Sequence, residues 1–156
     1  MKKIIIVWTL IILFCPGAWA QRQDAIDFSA TDMDGDNIQL SEYKGQVVIL
    51  DFWATWCKPC VQEIPTLEYL YKNYRDDDFA IISISLDQNM DKAREFVSAR
   101  NMDWIHILNK EKNVELARIY GVRAIPDMFV IDKQGKIAAR GYRGEALKKI
   151  IKDLLK

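Results

Sequence analysis

The feature that most constrains the fold is an apolar run, VVILDFW, between residues 46 and 54. A nearly continuous apolar run suits a strand that is covered on both faces, as in a parallel or mixed central sheet. Directly after it, from Lys58 to Tyr74, apolar residues recur at helical spacing. A buried strand that leads into an amphipathic helix is typical of an α/β domain. Asp51, the one charge inside the apolar run, is conspicuous there.

The remaining periodicity predicts a βαβ half followed by a ββα half. Asp34-Gly35 is a strong turn dipeptide and indicates a β-hairpin near the start. Further strands are predicted at residues 28–32, 37–40, 79–86 and in a hairpin over 128–140, and further helices at residues 91–100, 113–120 and 145–156. We therefore expect an α/β fold with a central mixed sheet flanked by helices and an added N-terminal β-hairpin.

The first twenty residues have the pattern of a secretory signal peptide. Lys2 and Lys3 precede an almost wholly apolar run over residues 4–15, and Ala18-Trp19-Ala20 has the small-x-small pattern of a signal-peptidase site. The apolar run is shorter than the roughly 20 residues that a spanning helix needs, and an uncleaved membrane anchor stays open as the alternative. We expect residues 1–20 to be a signal peptide, residues 21–156 to form one domain, and the protein to be periplasmic or in the cell envelope.

Charge and composition argue against several classes of partner and site. After removal of residues 1–20 the chain has 20 basic and 22 acidic residues, a net charge of −2, which gives no reason to propose nucleic acid as a partner. A structural zinc site needs four ligands, whereas the mature chain has two cysteines and one histidine. That histidine, His106, lies in WIHIL, which predicts a packed or edge residue of a strand. We expect no metal, no cofactor and a monomer.

Cys57 and Cys60, the two cysteines of the mature chain, are predicted to be a redox pair. An exported domain of this size needs no disulfide to fold, and a loop closed over two residues removes little chain entropy. The pair falls where the central strand leads into a helix, and a helix N-terminus favours thiolate over thiol. Cys57 would then be the exposed nucleophile and Cys60 the buried resolving thiol. A Cys-x-x-Cys next to a βαβ pattern is a specific signal for this chemistry.

The segment DFWATWCKPCVQEIP, residues 51–65, closely resembles the thioredoxin superfamily. The nearer resemblance is to the bacterial envelope branch, the TlpA/ResA-like thiol-disulfide oxidoreductases, because FWATWCKPC is almost the signature of that branch and CVQEIP has its glutamate and proline. DFSATDMDGDNIQLSEYKGQVVIL resembles the added N-terminal hairpin, and YGVRAIPDMFVIDKQGKI resembles the segment with the cis-proline. The resemblance covers about residues 28–155.

The resemblance implies roles for residues outside the cysteine pair. Glu63 would adjust cysteine acidity and move protons. Pro126 would be the cis-proline, which places the Ile125 backbone where a bound peptide can pair with it as an added strand. Trp53 and Trp56 would flank the disulfide and shield it. The alternative for Glu63 is an ordinary acid on the helix surface.

Two aspartates, Asp51 and Asp127, lie in the segments that carry the resemblance. Asp51 matches the buried aspartate of cytosolic thioredoxins, and a carboxylate in a covered strand should have a raised pKa and could take the Cys60 proton. The alternative is a structural polar group bonded to backbone or water. Asp127 stands where thioredoxin-like proteins usually have threonine after the cis-proline. If the Asp127 carboxylate pointed toward Cys57, it would oppose thiolate formation.

Three functions are compatible with the sequence. The first is an exported thiol-disulfide oxidoreductase that reduces disulfides of envelope proteins, with apocytochrome c as a family-level substrate and a membrane thiol protein as electron donor. The second is a peroxiredoxin-type peroxidase, although Leu50 and Ala54 stand where the proline and threonine of its Pro-x-x-x-Thr-x-x-Cys pattern would be. The third is a non-catalytic module that binds Cu(I) through Cys57 and Cys60.

Overall fold

The computed structural model describes residues 22–156. The predicted signal peptide and its alternative, a membrane anchor, lie outside the described residues. Within residues 22–156, no helix combines the length and the apolar character that crossing a membrane requires.

The described chain alternates strands and helices in the predicted order. The strands are β1 (Ser29–Thr31), β2 (Asn37–Gln39), β3 (Val47–Trp53), β4 (Phe79–Ser85), β5 (Ile105–Ile107), β6 (Asp127–Ile131) and β7 (Ile137–Arg140). The helices are α1 (Lys58–Tyr74), α2 (Met90–Ala99), α3 (Lys110–Ile119) and α4 (Gly144–Leu154), with a 3₁₀ turn at Leu40–Tyr43.

Five of these strands form one mixed sheet in the order β5-β4-β3-β6-β7. β3 pairs in parallel with β4 and antiparallel with β6, so β6 begins at the end of the sheet where β3 ends. β1 and β2 form a separate antiparallel hairpin. The α/β thioredoxin-like fold with an added N-terminal hairpin is therefore confirmed.

The central strand β3 is buried on both faces, as its apolar run predicts. Ile49 and Trp53 pack on the same side as the α1 and α4 cores, in one cluster with both cysteines. Leu50 and Phe52 point to the other side, toward α3 and the N-terminal hairpin. Because side chains alternate along a strand, Asp51 lies on the face that carries the cysteines.

The N-terminal residues contact both outer strands of the central sheet. The Ile137 amide of β7 donates to the Gln23 carbonyl at 2.8 Å. At the opposite edge, the Met33 amide donates to the His106 carbonyl of β5, also at 2.8 Å. The segment before β3 is therefore part of the domain and lies against both edges of the sheet.

The helix over residues 113–120 begins earlier than its apolar periodicity predicts. The Asn109 side chain accepts a hydrogen bond from the Lys112 amide at 2.9 Å and caps α3, which starts at Lys110. The added turn is polar, so hydrophobic spacing alone does not reveal it. The last helix, predicted over residues 145–156, runs from Gly144 to Leu154.

Candidate active site

Cys57 and Cys60 form a disulfide at the N-terminus of α1, with an S–S distance of 2.06 Å. Cys57 is the N-cap residue in extended conformation, and its Sγ accepts a hydrogen bond from the Cys60 amide at 3.3 Å. The expectation that Cys57 is exposed is wrong for this oxidised state, because Cys57 is 5% exposed and Cys60 4%. Lys58 and Pro59 fill the first turn, where the missing proline N–H is tolerated. The amide that faces Cys57 Sγ favours a thiolate there once the pair is reduced.

The loop between β3 and α1 is secured from the next strand. Asp87, just after β4, accepts hydrogen bonds from the Thr55 amide at 2.9 Å and the Thr55 hydroxyl at 2.7 Å. The Leu86 amide donates to the Trp53 carbonyl at 2.7 Å. These bonds fix the residues that immediately precede Cys57. Sequence reasoning did not single out Asp87, because its partner lies 32 residues away.

The two tryptophans expected beside the disulfide have different environments. Trp56 precedes Cys57 directly and is 66% exposed, the largest exposed fraction among the big apolar side chains of the described residues. Trp53 is 2% exposed and belongs to the cluster that contains both cysteines, with its ring 5.6 Å from that of Phe96. Trp53 is thus a core residue behind the disulfide, whereas Trp56 presents an aromatic surface to solvent.

Asp51 is buried beneath α1 and keeps one oxygen unpaired. The Ser83 hydroxyl lies 3.1 Å from Asp51 Oδ2, and Oδ1 has no hydrogen-bond partner among residues 22–156. The pKa of Asp51 is raised to about 7: burial is the largest cause and the charge of Glu63 adds to it, whereas the Ser83 hydrogen bond acts to lower the pKa. A carboxyl group with this pKa can both accept and release a proton near neutral pH.

Glu63 is held at the start of α4. Its Oε2 accepts a hydrogen bond from the Gly144 amide at 3.0 Å, in a partly buried position. Gly144 has a φ of 53°, in the left-handed region that favours glycine. A carboxylate at a helix N-terminus is stabilised by the partial positive charge there. Glu63 is therefore tied to α4, unlike a freely solvated acid of a helix surface.

Ile125 and Pro126 lie at the end of the sheet where the cysteine pair stands. The peptide bond between them is cis. They directly precede β6, whose first residue, Asp127, is opposite Phe52 near the end of β3. Pro126 is buried and Ile125 is half-buried, packed against both core clusters.

The Asp127 carboxylate is turned toward β7 and paired with Arg140. Arg140 Nη2 lies 2.6 Å from Asp127 Oδ2, and Nε lies 3.2 Å from both oxygens. Arg140 also donates to the Gly121 carbonyl at 2.9 Å, and its guanidinium lies 4.4 Å from the centre of the Phe129 ring. The negative charge that could oppose a Cys57 thiolate is thus balanced by a neighbouring cation.

His106 is a packed residue of β5, in agreement with its apolar context. It is 1% exposed, its Nε2 lies 3.1 Å from the Met102 carbonyl oxygen, and burial lowers its pKa to about 4. In the part of the chain that the structure describes, no group of three or more His, Cys, Asp or Glu is placed to hold a metal ion.

Comparison with known proteins places the chain in a family. The profile of the AhpC/TSA family matches residues 22–140. The thiol-disulfide oxidoreductase ResA of Bacillus thuringiensis subsp. konkukian is 34% identical over 134 residues, which cover 86% of this chain and 76% of the relative. ResA of Geobacillus thermodenitrificans is 33% identical over 120 residues, or 77% of this chain and 68% of the relative.

Solved structures show the same fold. A putative thiol:disulfide interchange protein DsbE from Chlorobium tepidum has a TM-score of 0.78 at 31% identity and covers 86% of this chain and 97% of its own. The thioredoxin domain of a thiol-disulfide oxidoreductase from Bacteroides vulgatus has a TM-score of 0.79 at 25% identity, and the match covers 86% of this chain and 96% of that domain's chain. With the Cys57–Cys60 disulfide at the head of α1, these matches show that the chain belongs to the AhpC/TSA family of thioredoxin-like proteins and is a thiol-disulfide oxidoreductase of the ResA type.

Proposed function

We propose that this oxidoreductase works as a reductase of envelope protein disulfides. The observation that carries the exchange chemistry is the Cys57 sulfur at the N-terminus of α1, where the Cys60 amide donates to it, and the reducing direction is the part that the reduction potential below tests. A thiolate stabilised in this way is a good nucleophile toward a substrate disulfide and, later, a good leaving group from a mixed disulfide.

The reaction proceeds in two exchanges. The Cys57 thiolate attacks one sulfur of the substrate disulfide, forms a mixed disulfide and releases the other sulfur as a thiolate. Cys60 then attacks Cys57 Sγ, the Cys57–substrate bond breaks, and the second substrate sulfur leaves. The protein loses two electrons and becomes the Cys57–Cys60 disulfide, while the substrate gains them and two protons.

The surrounding residues have separate roles in this proposal. Asp51 takes the Cys60 proton before the second exchange, which its burial and its pKa near neutrality support. Glu63 tunes that proton transfer through its charge. Trp56 supplies an exposed aromatic contact for substrate, and the Ile125 backbone before Pro126 pairs with the substrate chain.

The location and the electron supply are part of the same proposal. The signal-peptide pattern of residues 1–20 supports export to the periplasm or envelope. A reductase outside the cytosol must be reduced again after each cycle, so a membrane thiol protein is the proposed donor. Apocytochrome c is the proposed substrate, because its Cys-x-x-Cys-His cysteines must be reduced before haem attachment.

The reduction potential of the Cys57–Cys60 couple tests the direction. We would equilibrate the protein with a series of dithiol buffers and follow Trp53 and Trp56 fluorescence. A midpoint near the thioredoxin value of about −270 mV supports a reductase, and one near about −120 mV identifies an oxidant that installs disulfides. No reversible two-electron transition would favour the Cu(I)-binding module instead.

A trapping experiment tests the substrate. The Cys60→Ser variant should hold a mixed disulfide through Cys57, because no second thiol resolves it. We expect it to capture an oxidised Cys-x-x-Cys-His peptide faster than a peptide of the same composition with the cysteines further apart. Equal capture of both peptides would remove apocytochrome c as the favoured substrate. Rapid peroxide consumption by the reduced wild-type protein would favour the peroxidase alternative.

A further inference from the structure

Ser83, on β4, links two buried side chains through its hydroxyl. The Trp104 indole Nε1 donates to Ser83 Oγ at 2.8 Å, and Ser83 Oγ lies 3.1 Å from Asp51 Oδ2. Trp104 is 6% exposed, Ser83 0% and Asp51 3%.

The chemistry of these groups fixes the direction of the hydrogen bonds. An indole N–H can only donate, so Ser83 Oγ accepts from Trp104. The single hydroxyl proton of Ser83 is then directed to Asp51 Oδ2. If a proton bound to Oδ2, it would compete with that donor and leave the proton of the buried Ser83 hydroxyl without an acceptor. A proton that binds Asp51 is therefore directed to Oδ1, the oxygen that has no hydrogen-bond partner among the described residues.

The sheet register supports the same geometry. Asp51 is opposite Ser83 in the β3–β4 pair, so both side chains lie on one face of the sheet. Ile49 and Trp53, on either side of Asp51, pack in the cluster that contains Cys57 and Cys60. The carboxyl group thus lies on the face of the sheet that carries the cysteine pair, with one oxygen bonded to Ser83 of β4.

We propose that Ser83 and Trp104 are positioning residues for the second exchange, which hold Asp51 Oδ2 so that Oδ1 accepts the proton of Cys60. This inference rests on the proposed role of Asp51. In the step, the Cys60 Sγ–H bond breaks and its proton binds Asp51 Oδ1. The Cys60 thiolate attacks Cys57 Sγ, the Cys57–substrate disulfide bond breaks, and the substrate leaves as a thiolate that solvent protonates.

Few charged groups face Asp51 from the elements packed around it. Glu63, on α1, is the charged residue whose field raises the proton affinity of Asp51. His106, next to Ser83 on β5, is neutral near pH 7 because burial lowers its pKa to about 4. Met128, opposite Asp51 on β6, carries no charge. The Ser83 hydroxyl is therefore the group that favours the ionised carboxylate.

The test follows the second exchange as a function of pH. Reduced full-length protein is mixed with a stoichiometric amount of an aromatic disulfide whose thiol absorbs in the visible. The first equivalent of released thiol reports attack by Cys57, and the second reports attack by Cys60. In the wild type we expect the rate of the second phase to rise with pH as Asp51 ionises.

Removal of the hydroxyl should shift this profile in a defined direction. In Ser83→Ala the Asp51 carboxylate loses its hydrogen-bond donor. We therefore expect the midpoint of the pH profile of the second phase to move up by about one pH unit, and the rate of that phase near pH 7 to fall about fivefold. Ser83→Thr keeps the hydroxyl on a β-branched side chain and should keep the wild-type midpoint. Trp104→Phe keeps the ring but lets the Ser83 hydroxyl rotate, so we expect a smaller upward shift.

Ser85→Ala is the matched control for loss of a buried hydroxyl from β4. Ser85 is also 0% exposed, but its hydroxyl donates to Asp87 rather than to Asp51. We expect this variant to change stability without moving the midpoint. In an Asp51→Asn background, Ser83→Ala should produce no further shift, because the titrating group is already absent.

The outcomes separate this inference from the function on which it rests. If Asp51→Asn leaves the pH profile unchanged, the proposed role of Asp51 is wrong. If Asp51→Asn abolishes the profile but Ser83→Ala and Trp104→Phe both keep the wild-type midpoint, only the positioning role is wrong. If Ser83→Ala does not fold, the positioning role is tested with Ser83→Thr and Trp104→Phe instead. A pH-profile midpoint of Trp104→Phe equal to that of the wild type would then overturn the inference.

Discussion

The Asp127 carboxylate, immediately after the cis peptide bond, is bound by the Arg140 guanidinium across the β6–β7 hairpin at 2.6 Å. The Asp127 side chain is 13% exposed and that of Arg140 45%. An acid at the end of the sheet where β3 leads to the cysteine pair is thereby present without an unbalanced negative charge.

We expect Arg140→Met to slow the reaction of reduced Cys57 with iodoacetamide. The methionine keeps part of the apolar stem over Phe129 but leaves the Asp127 charge uncompensated, which disfavours a nearby thiolate. Because the pair is partly exposed, the effect should be about two- to fivefold and weaken with added salt. The double variant Arg140→Met/Asp127→Asn should react at the wild-type rate. A slow double variant would assign the effect to packing instead.

Asp51→Asn should stabilise the oxidised protein at alkaline pH. Burial raises the pKa of Asp51 from 3.8 to about 7. Between these values the folded protein binds a proton that the unfolded chain does not, so stability from this group is lost as pH rises toward 7. We expect the variant to gain on the order of a few kcal/mol in the free energy of unfolding near pH 8, and little near pH 4. Urea titrations at both pH values measure this.

The same variant should reveal an opposite contribution from His106. Burial lowers its pKa from 6.5 to about 4, so stability from this neutral imidazole is lost as pH falls between those values. In the wild type the Asp51 and His106 contributions oppose each other over this range. Without Asp51, stability should fall more steeply on acidification. An Asp51→Asn protein whose stability rises on acidification would contradict this assignment.

Glu63→Gln should shift the second exchange in the direction opposite to Ser83→Ala. The Glu63 charge raises the pKa of Asp51, so its removal should move the midpoint of the pH profile down. The glutamine oxygen can still accept from the Gly144 amide. Glu63→Ala loses that acceptor as well, and we expect it to lower stability by about 1–2 kcal/mol relative to the glutamine variant in urea unfolding.

Substitution of Trp53 should affect stability, whereas substitution of Trp56 should affect substrate capture. Trp53 is 2% exposed, so we expect Trp53→Ala to reduce the free energy of unfolding by about 3–5 kcal/mol. Trp56 is 66% exposed, so Trp56→Ala should change it by less than about 0.5 kcal/mol. We expect Trp56→Ala to slow capture of a peptide by the Cys60→Ser protein while small aromatic disulfides react normally. An equal loss of rate with the peptide and with the small aromatic disulfides would contradict a peptide contact at Trp56.

Local patterns predicted most of the fold. The apolar run of β3 and the helical spacing of α1 located both elements, because burial on one or both faces leaves a periodicity in the chain. The same pattern made Asp51 conspicuous as a charge among buried residues. Ser83 and Ser85 carry the same signal inside FAIISIS, the segment that forms β4. They could have been singled out in the same way.

The partners of these residues could not be predicted, because each contact joins distant segments. Glu63 and Gly144 are 81 residues apart, and Asp51 and Ser83 are 32 apart. The Asp127–Arg140 pair depends on the register of β6 and β7, which shifts at an irregularity between Val130 and Ile131. A register change of one residue would turn the side chains to the opposite face.

The N-terminal contacts on both outer strands have a consequence for self-association. An uncovered edge of a sheet offers unpaired amides and carbonyls on which a second chain can add a strand and begin aggregation. Here Gln23 occupies a position along β7 and Met33 one along β5. A protein shortened to begin beyond Met33 would keep its cysteine pair but leave two uncovered edges. We therefore expect the shortened protein to associate with itself more readily than a protein that retains residues 22–33.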